Sequence, residues 1–293
     1  MEEDLQTIFG LMQTACVEIA SLVRFCSSYE LGDELEHTNA SGDIPKILDE
    51  KSHNILKAKL ESCPLVKGII SEEQEDIFWT TFPEGKYIVS FDPLDGSSNI
   101  SVNISIGTIF CVYQPEGEFI KDGREIVMAG YSLYGGATEL VVAVKGKVTH
   151  FALNKEDKFK VLKNNIKLPA KLPFYSINEG YKHKWLDSRT ANFIRIICIN
   201  RSLRYVGSLV ADAHRTLLKG GVFIYPRDST YRSGKIRLLY EAYPFAFIFE
   251  QGGGSSFAED RNILDLPCPE DLHQPIPFMV GSKEDIELYK VLG

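Results

Sequence analysis

The chain has 293 residues, of which 44% are hydrophobic and 25% charged, and its formal net charge at pH 7 is −8. This composition is typical of a soluble globular protein that buries a sizeable core, in one large domain or two of ordinary size. The acidic balance argues against a general nucleic-acid-binding protein, which would carry a basic face.

The cysteines and the N-terminus predict a cytoplasmic location. Six cysteines are widely spaced, without a CxxC pair or a zinc-binding spacing, which favours reduced thiols in a reducing compartment. The N-terminus, Met1-Glu2-Glu3-Asp4, is acidic and unlike a signal or transit peptide. No apolar stretch approaches the roughly 20 residues of a membrane-spanning helix, so we expect no membrane partner.

In chain order, the hydrophobic pattern first predicts two helices. Apolar residues recur at spacings of three and four from Leu5 to about residue 26. A second helix should follow the loop that contains Asp43, with Pro45 near its first turn, where a missing N–H costs nothing. Asp43 and Asp49 fall near this junction, where an acid ordinarily satisfies the helix dipole.

A block of strands should come next. The apolar segment 66–70 predicts a strand that ends at Glu72-Glu73, and 87–91 predicts a buried strand that stops at Pro93. Segments 102–113, 126–133, 139–144 and 148–153 also have the pattern of strands.

Beyond the polar region 155–167, strands and helices should alternate. Strands are predicted at 174–177 and 222–225, and helices at 193–199, 209–218, 244–249 and 282–292. The coarse order predicts an α/β protein of two packed subdomains, residues 1–165 and 166–293.

The run from Phe91 to Asn99 carries the strongest chemical signal. Asp92 and Asp95 lie three residues apart, and Gly96, Ser97 and Ser98 follow at once. Carboxylates suit a hard cation such as Mg²⁺, and a glycine–serine turn that opens a helix suits a phosphate. Asp-Pro alone would indicate an ordinary surface turn, but the whole run predicts a metal site beside a phosphate site.

The adjacent acids Glu72 and Glu73 are compatible with two interpretations. Like charges repel after a buried strand, and a cation would relieve that repulsion. A solvent-facing pair explains these two residues equally well when they are taken alone.

Together with Glu72-Glu73 and the stretch Gly234-Lys235-Ile236-Arg237-Leu238-Leu239-Tyr240-Glu241, the run 92–99 resembles the class 1 fructose-1,6-bisphosphatases. It is also similar to the related sedoheptulose-1,7-bisphosphatases of the same Mg²⁺-dependent, lithium-sensitive phosphatase superfamily. The likeness extends from Leu5 to Leu292, with further matching stretches at 131–140, 175–181 and 204–217. It implies a layered α/β/α/β/α sandwich with the active site between the two subdomains.

The resemblance also implies metal-binding and catalytic residues. Two or three Mg²⁺ ions per site, with Mn²⁺ as the alternative, would be held by Glu72, Glu73, Asp92, the carbonyl of Leu94, Asp95 and Glu241. Asp49, together with Glu73, matches the acid that activates the attacking water.

The substrate-binding residues follow from the same resemblance. Gly96, Ser97 and Lys235 match the groups that hold the departing 1-phosphate, and Ser98 is placed with them. The distal phosphate would be bound by Asn178, Tyr181, Tyr205 and Tyr225. Arg204 matches an arginine that reaches this phosphate from a neighbouring subunit of a homo-oligomer, commonly a tetramer.

The implied activity is removal of the 1-phosphate of a small-molecule sugar bisphosphate. Fructose 1,6-bisphosphate is the first choice and sedoheptulose 1,7-bisphosphate the alternative, because these motifs do not resolve one extra sugar carbon. A non-catalytic sugar-phosphate sensor is a second alternative, which the retained metal-binding acids disfavour. The residues for a distal phosphate disfavour an inositol monophosphatase-like role.

The sequence departs from the family pattern in two respects. Ser101 stands where relatives usually carry an aspartate, and loss of this charge should weaken metal affinity or rate. The N-terminal arm that helps longer relatives to bind AMP is largely missing, and Gln114 replaces an expected arginine, although Lys86 and Tyr87 match other AMP contacts. We therefore expect little or no regulation by AMP.

Overall fold

A computed structural model describes residues 1–35, 46–169 and 173–292. The predicted loop with Asp43 and Pro45 lies outside these described residues.

The two predicted N-terminal helices are confirmed as α1 (Glu3–Arg24) and α2 (Ile47–Glu61). By length and composition α1 could cross a membrane, so the expectation that no stretch approaches a span is wrong on those two criteria. Its apolar side chains recur every three to four residues and are buried against α2 and the neighbouring sheet. We therefore interpret α1 as a core helix of the folded chain.

The larger sheet of the described chain has eight strands in the order β2-β1-β3-β4-β5-β6-β7-β8. The strands β1 and β3 are parallel, and the other neighbours are antiparallel. Their bounds are β1 Val66–Ser71, β2 Phe78–Trp79, β3 Tyr87–Asp95, β4 Ile106–Tyr113, β5 Ile126–Tyr134, β6 Thr138–Val144, β7 Lys147–Leu153 and β8 Phe159–Lys163.

Side-chain alternation divides this sheet between two cores. Val89 and Phe91 of β3 pack toward α1 and α2, whereas Ile88 faces the opposite side. The same period of two separates Phe110 from Ile109 on β4. Both faces are therefore covered, which explains why the central strands are buried along their whole length.

The second sheet in the described ranges has five strands in the order β10-β9-β11-β15-β13, and a separate ribbon pairs β12 with β14. The bounds are β9 Phe174–Ser176, β10 Ser202–Leu203, β11 Val222–Tyr225, β12 Ile236–Arg237, β13 Ser255–Phe257, β14 Pro275–Ile276 and β15 Phe278–Gly281.

The remaining α-helices form two further layers. They are α3 Ser188–Ile197, α4 Leu209–Lys219, α5 Tyr243–Gln251 and α6 Lys283–Val291. The helices α4 and α5 lie between the two sheets, and α3 and α6 cover the outer face of the second sheet. This order of layers confirms the predicted α/β/α/β/α sandwich. The predicted division at residue 165 falls between β8 and β9 and remains a prediction.

The strand β3 differs from its prediction because it continues through Pro93 to Asp95. Asp92 pairs with Ile109 and Asp95 with Gly107, so three steps on β3 oppose two on β4. Pro93 lies in this bulge, where its missing N–H removes no ladder bond. The two aspartates are consequently held by a sheet rather than by a tight turn, and the residues that follow form a 3₁₀ helix, Ser97–Val102.

Two glycine substitutions test the packing of the larger sheet. A Cβ at Gly130 would lie 2.4 Å from Cζ of Phe110 and 2.7 Å from the carbonyl oxygen of Val141. We expect Gly130→Ala to lower the free energy of unfolding by about 1–3 kcal/mol. Gly10→Ala in α1 meets no atom within 4 Å and should raise it by about 1 kcal/mol. Urea unfolding measures both values, and equal effects of the two variants would contradict the packing described for β4 and β5.

Candidate active site

A cavity of about 580 Å³ opens where β3 ends, where α2 and α4 begin, and where the segment 234–241 passes. Thirteen of the residues predicted from the sequence line it: Asp49, Glu72, Glu73, Asp92, Leu94, Asp95, Gly96, Ser97, Ser98, Tyr205, Tyr225, Lys235 and Glu241. Residues far apart in the chain are therefore brought together at one place.

Three buried carboxylates form the floor of the cavity. Asp92 and Asp95 come from the bulged end of β3, and Glu241 comes from a π-helical segment, Leu238–Ala242, that precedes α5. One carboxylate oxygen of each lies within 4.8 Å of the others. Burial raises the pKa of Asp95 to about 7 and the pKa values of Asp92 and Glu241 well above the usual range, and the charge of Glu72 adds to each shift.

Backbone N–H groups orient these three acids. The N–H of Leu94 donates to Oδ1 of Asp92 at 2.9 Å, and the N–H of Val210, in the first turn of α4, donates to Oδ2 of Asp95 at 2.9 Å. The N–H of Arg237 donates to Oε2 of Glu241 at 2.5 Å. These N–H groups fix the positions of the three carboxylates without neutralising their negative charge. The carboxylate oxygens therefore fit a hard divalent cation, which prefers oxygen ligands.

Glu72 and Glu73 stand on the turn after β1 and are half-buried at the same cavity. The N–H of Glu72 donates to the carbonyl of Phe91 at 3.3 Å, and the N–H of Glu73 donates to Oγ of Ser71 at 3.3 Å. The turn is thereby fastened to the strand that carries Asp92. Both glutamates thus border the acid cluster, in agreement with the first of the two interpretations considered for them.

Asp49 lies in the first turn of α2 and is only 3% exposed. The N–H of Lys46 donates to its Oδ2 at 2.6 Å. Burial, with a smaller contribution from the charge of Glu72, raises the pKa of Asp49 to about 7, although the hydrogen bond from the N–H of Lys46 opposes the shift. A carboxyl group with a pKa near neutrality is suited to accept and release a proton.

A second group of residues that line the cavity is suited to an anion. Gly96 has a φ of 79° and starts the segment with Ser97 and Ser98, and the exposed Lys235 also lines the cavity. Ser208, at the N-terminus of α4, is buried at the cavity, and its Oγ has no hydrogen-bond partner among the described residues. Helix N–H groups, small side chains and a lysine are a common combination at phosphate sites.

Three predicted residues do not line the cavity: Asn178, Tyr181 and Arg204. Arg204 is exposed just after the edge strand β10, where Nη1 donates to the carbonyl of Leu203 at 2.8 Å and the guanidinium lies over Phe174. Tyr181 is 38% exposed on a 3₁₀ helix, Glu179–Lys184. Within one chain, these residues are not brought to the acid cluster.

Lys46, Asp212 and Arg237 also line the cavity, although their role there was not predicted from the sequence. Asp212 is fully buried and accepts hydrogen bonds from the N–H groups of Val206 and Gly207, each at 3.0 Å. It therefore shapes the turn that leads into α4. Its only signal in the sequence is an acid in the first turn of a predicted helix, which ordinarily indicates a dipole contact.

Ser101 also lines the cavity and is exposed. The position at which the family pattern has an aspartate therefore lies at the rim of this same cavity.

The comparisons with known proteins agree along the whole chain. The family model for the N-terminal domain of fructose-1-6-bisphosphatase matches residues 1–164, and the model for its C-terminal domain matches residues 168–292. A class 1 fructose-1,6-bisphosphatase of Sulfurihydrogenibium sp. is 40% identical over 95% of this chain and 88% of the relative. The cytosolic fructose-1,6-bisphosphatase of Oryza sativa subsp. indica is 38% identical over 99% of this chain and 89% of the relative.

A solved structure of a family member has the same fold. The holo form of Leishmania major fructose-1,6-bisphosphatase superposes with a TM-score of 0.94 at 35% identity and covers 99% of this chain and 94% of the other. Sequence models, relatives and structure together establish that the chain belongs to the fructose-1,6-bisphosphatase family.

Proposed function

We propose that this protein hydrolyses the 1-phosphate of fructose 1,6-bisphosphate and yields fructose 6-phosphate and inorganic phosphate. The observation that carries the proposal is that one cavity is lined both by a buried carboxylate cluster and by Lys235 and the Gly96–Ser98 segment. Relatives named for this activity match almost the whole chain, and none of those reported above is named for a seven-carbon sugar. We therefore place sedoheptulose 1,7-bisphosphate second.

The carboxylates would hold Mg²⁺, which supplies charge neutralisation and an acidified water when bound. Asp92, Asp95 and Glu241 would be the central ligands, joined by Glu72, Glu73 and the carbonyl of Leu94. Hard oxygen donors around a phosphate suit Mg²⁺, with Mn²⁺ as an alternative and two or three ions per site. Ser101 on the rim leaves the cluster with one acid fewer than the family pattern.

The chain's own groups would then act around the phosphorus. Asp49, fixed by the N–H of Lys46, would take the proton of the attacking water together with Glu73. Gly96, Ser97, Ser98 and Lys235 would hold the departing 1-phosphate by N–H, hydroxyl and ammonium groups.

The distal phosphate would be bound at the other end of the cavity. Tyr205 and Tyr225 line the cavity, and Asn178 and Tyr181 would complete the contact from the 3₁₀ segment Glu179–Lys184 and the residue before it. Arg204, which is exposed at a sheet edge of its own chain, would reach the distal phosphate of a neighbouring subunit. We therefore propose a homo-oligomer in which subunits share this residue, located in the cytosol like the rice relative.

Asp95→Asn tests the metal assignment. We expect this variant to lower kcat/KM for fructose 1,6-bisphosphate by about 10³-fold or more, a loss of roughly 4 kcal/mol of transition-state stabilisation. Mg²⁺-dependent phosphate release measures the effect. Asp157→Asn, at an exposed position with a φ of 54° that Asn tolerates, is the matched control and should keep full activity. Equal activity of Asp95→Asn and wild type would refute the assignment, and a higher kcat/KM for sedoheptulose 1,7-bisphosphate would reverse the order of substrates.

Without metal, the same variant should be more stable than the wild type at pH 8. The folded pKa of Asp95 lies above its unfolded value, so folding takes up a proton, and stability falls as pH rises from about 4 to about 7. We expect a gain on the order of 3 kcal/mol for Asp95→Asn at pH 8 in the presence of a chelator, and no gain at pH 4. Urea unfolding at the two pH values measures this, and added Mg²⁺ should remove the advantage. A pH-independent difference would contradict the burial of uncompensated charge.

AMP at physiological concentration should leave the rate unchanged. Nζ of Lys86, one of the two residues that match AMP contacts, lies 2.6 Å from Oδ2 of Asp4, and the exposed Gln114 cannot pair with a phosphate as an arginine does. A steady-state assay with and without AMP decides the matter, with Gln114→Arg as a companion variant. Strong inhibition of the wild-type enzyme would show the expectation to be wrong.

A further inference from the structure

A second cluster of potential metal ligands lies outside the active-site cavity. It contains Glu139 on β6, His150 on β7 and His214 on α4. None of the three lines the cavity. They face one another across the contact between the larger sheet and the central helix layer, and the proposed hydrolysis uses none of them.

The ligand atoms of the cluster converge. Nε2 of His150 lies 2.8 Å from Oε2 of Glu139, and Nε2 of His214 lies 3.1 Å from the same oxygen. One ligand atom from each of the three residues lies within 4.8 Å of the others. Ligands of a tetrahedral zinc ion are roughly 3.3 Å apart, so shifts of a few tenths of an ångström would admit an ion.

We propose that Glu139, His150 and His214 bind one divalent transition-metal ion of the zinc class. Two imidazoles and one carboxylate are a ligand set for zinc and unlike the all-oxygen set that Mg²⁺ prefers. The side chain of Glu139 is 25% exposed, whereas those of His150 and His214 are 8% and 13% exposed. Water from the partly exposed side at Glu139 would be the fourth ligand.

A hydrogen bond to the second ring nitrogen of His214 supports this assignment. The hydroxyl of Tyr131 lies 3.0 Å from Nδ1 of His214 and is completely buried. With a metal at Nε2, the proton of His214 resides on Nδ1, which then donates to this hydroxyl. A hydrogen bond at the second ring nitrogen fixes the tautomer and ring orientation of metal-binding histidines.

The ion would fasten α4 to the larger sheet. His214 lies in the same helix whose first turn holds Asp95 through the N–H of Val210. Strands β6 and β7, which are paired in the larger sheet, supply the other two ligands, so the ion would add a link between α4 and that sheet. We therefore expect zinc to raise the thermal stability of the protein.

Metal content of the purified full-length protein tests the proposal. Protein stripped with a chelator and dialysed against Zn²⁺ should retain one equivalent more in the wild type than in His150→Gln or His214→Gln. His183→Gln, at an exposed histidine outside the cluster, is the matched control and should equal the wild type. The difference between variants excludes ions at the active-site carboxylates, which all of these proteins share. Equal zinc content in the wild type and both cluster variants would overturn the proposal.

The visible spectrum of bound Co²⁺, measured in a variant that conserves side-chain shape, is an independent test of the site. Co²⁺ in the wild type should add the intense visible bands of a low-coordinate site with imidazole ligands, and these bands should vanish in Glu139→Gln, which conserves side-chain shape. Tyr131→Phe should weaken Zn²⁺ binding by about 10–100-fold. Far-UV circular dichroism establishes that each variant is folded. A Co²⁺ spectrum unchanged in folded Glu139→Gln would refute the site.

Discussion

Mutual repulsion among three buried carboxylates is the constraint on which the rest of the structure depends. Asp92, Asp95 and Glu241 are each less than 10% exposed, yet one oxygen of each lies within 4.8 Å of the others. Burying like charges so closely is costly unless a cation compensates them. The backbone donors that hold the three acids belong to β3, α4 and β12. Strands and helices of both halves must therefore assemble before the cluster exists, which links the fold to the proposed chemistry.

Three departures from regular backbone geometry lie in the segments that carry this cluster and the neighbouring lysine. The bulge at Pro93 re-aims two aspartates, and the π-helical segment Leu238–Ala242 presents Glu241. Gly234 has a φ of 98°, and a Cβ there would lie 2.0 Å from the carbonyl carbon of Ile276. Bulges and π-helical turns are frequently found at functional sites because they direct side chains that a regular element would turn away. The long regular strands on either side hold these irregular segments in place.

Much of this arrangement could be predicted from the sequence, for identifiable reasons. Periodic apolar residues predicted α1 and α4, and the helix predicted at 282–292 is α6, whereas α3 begins at Ser188, before the predicted start at residue 193. The short strands β13 and β15 were not predicted, although β9 and β11, which have the same lengths of three and four residues, were. The bulge could not be foreseen either, because a proline ordinarily ends a strand, and only pairing with β4 shows why it does not. At the site, the metal-binding acids were predictable because they occur in family motifs. The role of Asp212 was not, because its hydrogen bonds to the turn before α4 are not evident from its local sequence.

The two parts of the acid cluster belong to different layers of the sandwich. Asp92 and Asp95 belong to the larger sheet, whereas Glu241 lies in the segment that leads directly into α5 of the central helix layer. Sliding these layers by an ångström would change the distance between ligand oxygens by a similar amount, and coordination of a small cation is sensitive to such distances. The geometry of the acid cluster therefore depends on the relative position of the larger sheet and the central helix layer. Any contact on the outer surface that shifts one layer, including one with another subunit, would alter affinity for the ion without touching an active-site residue.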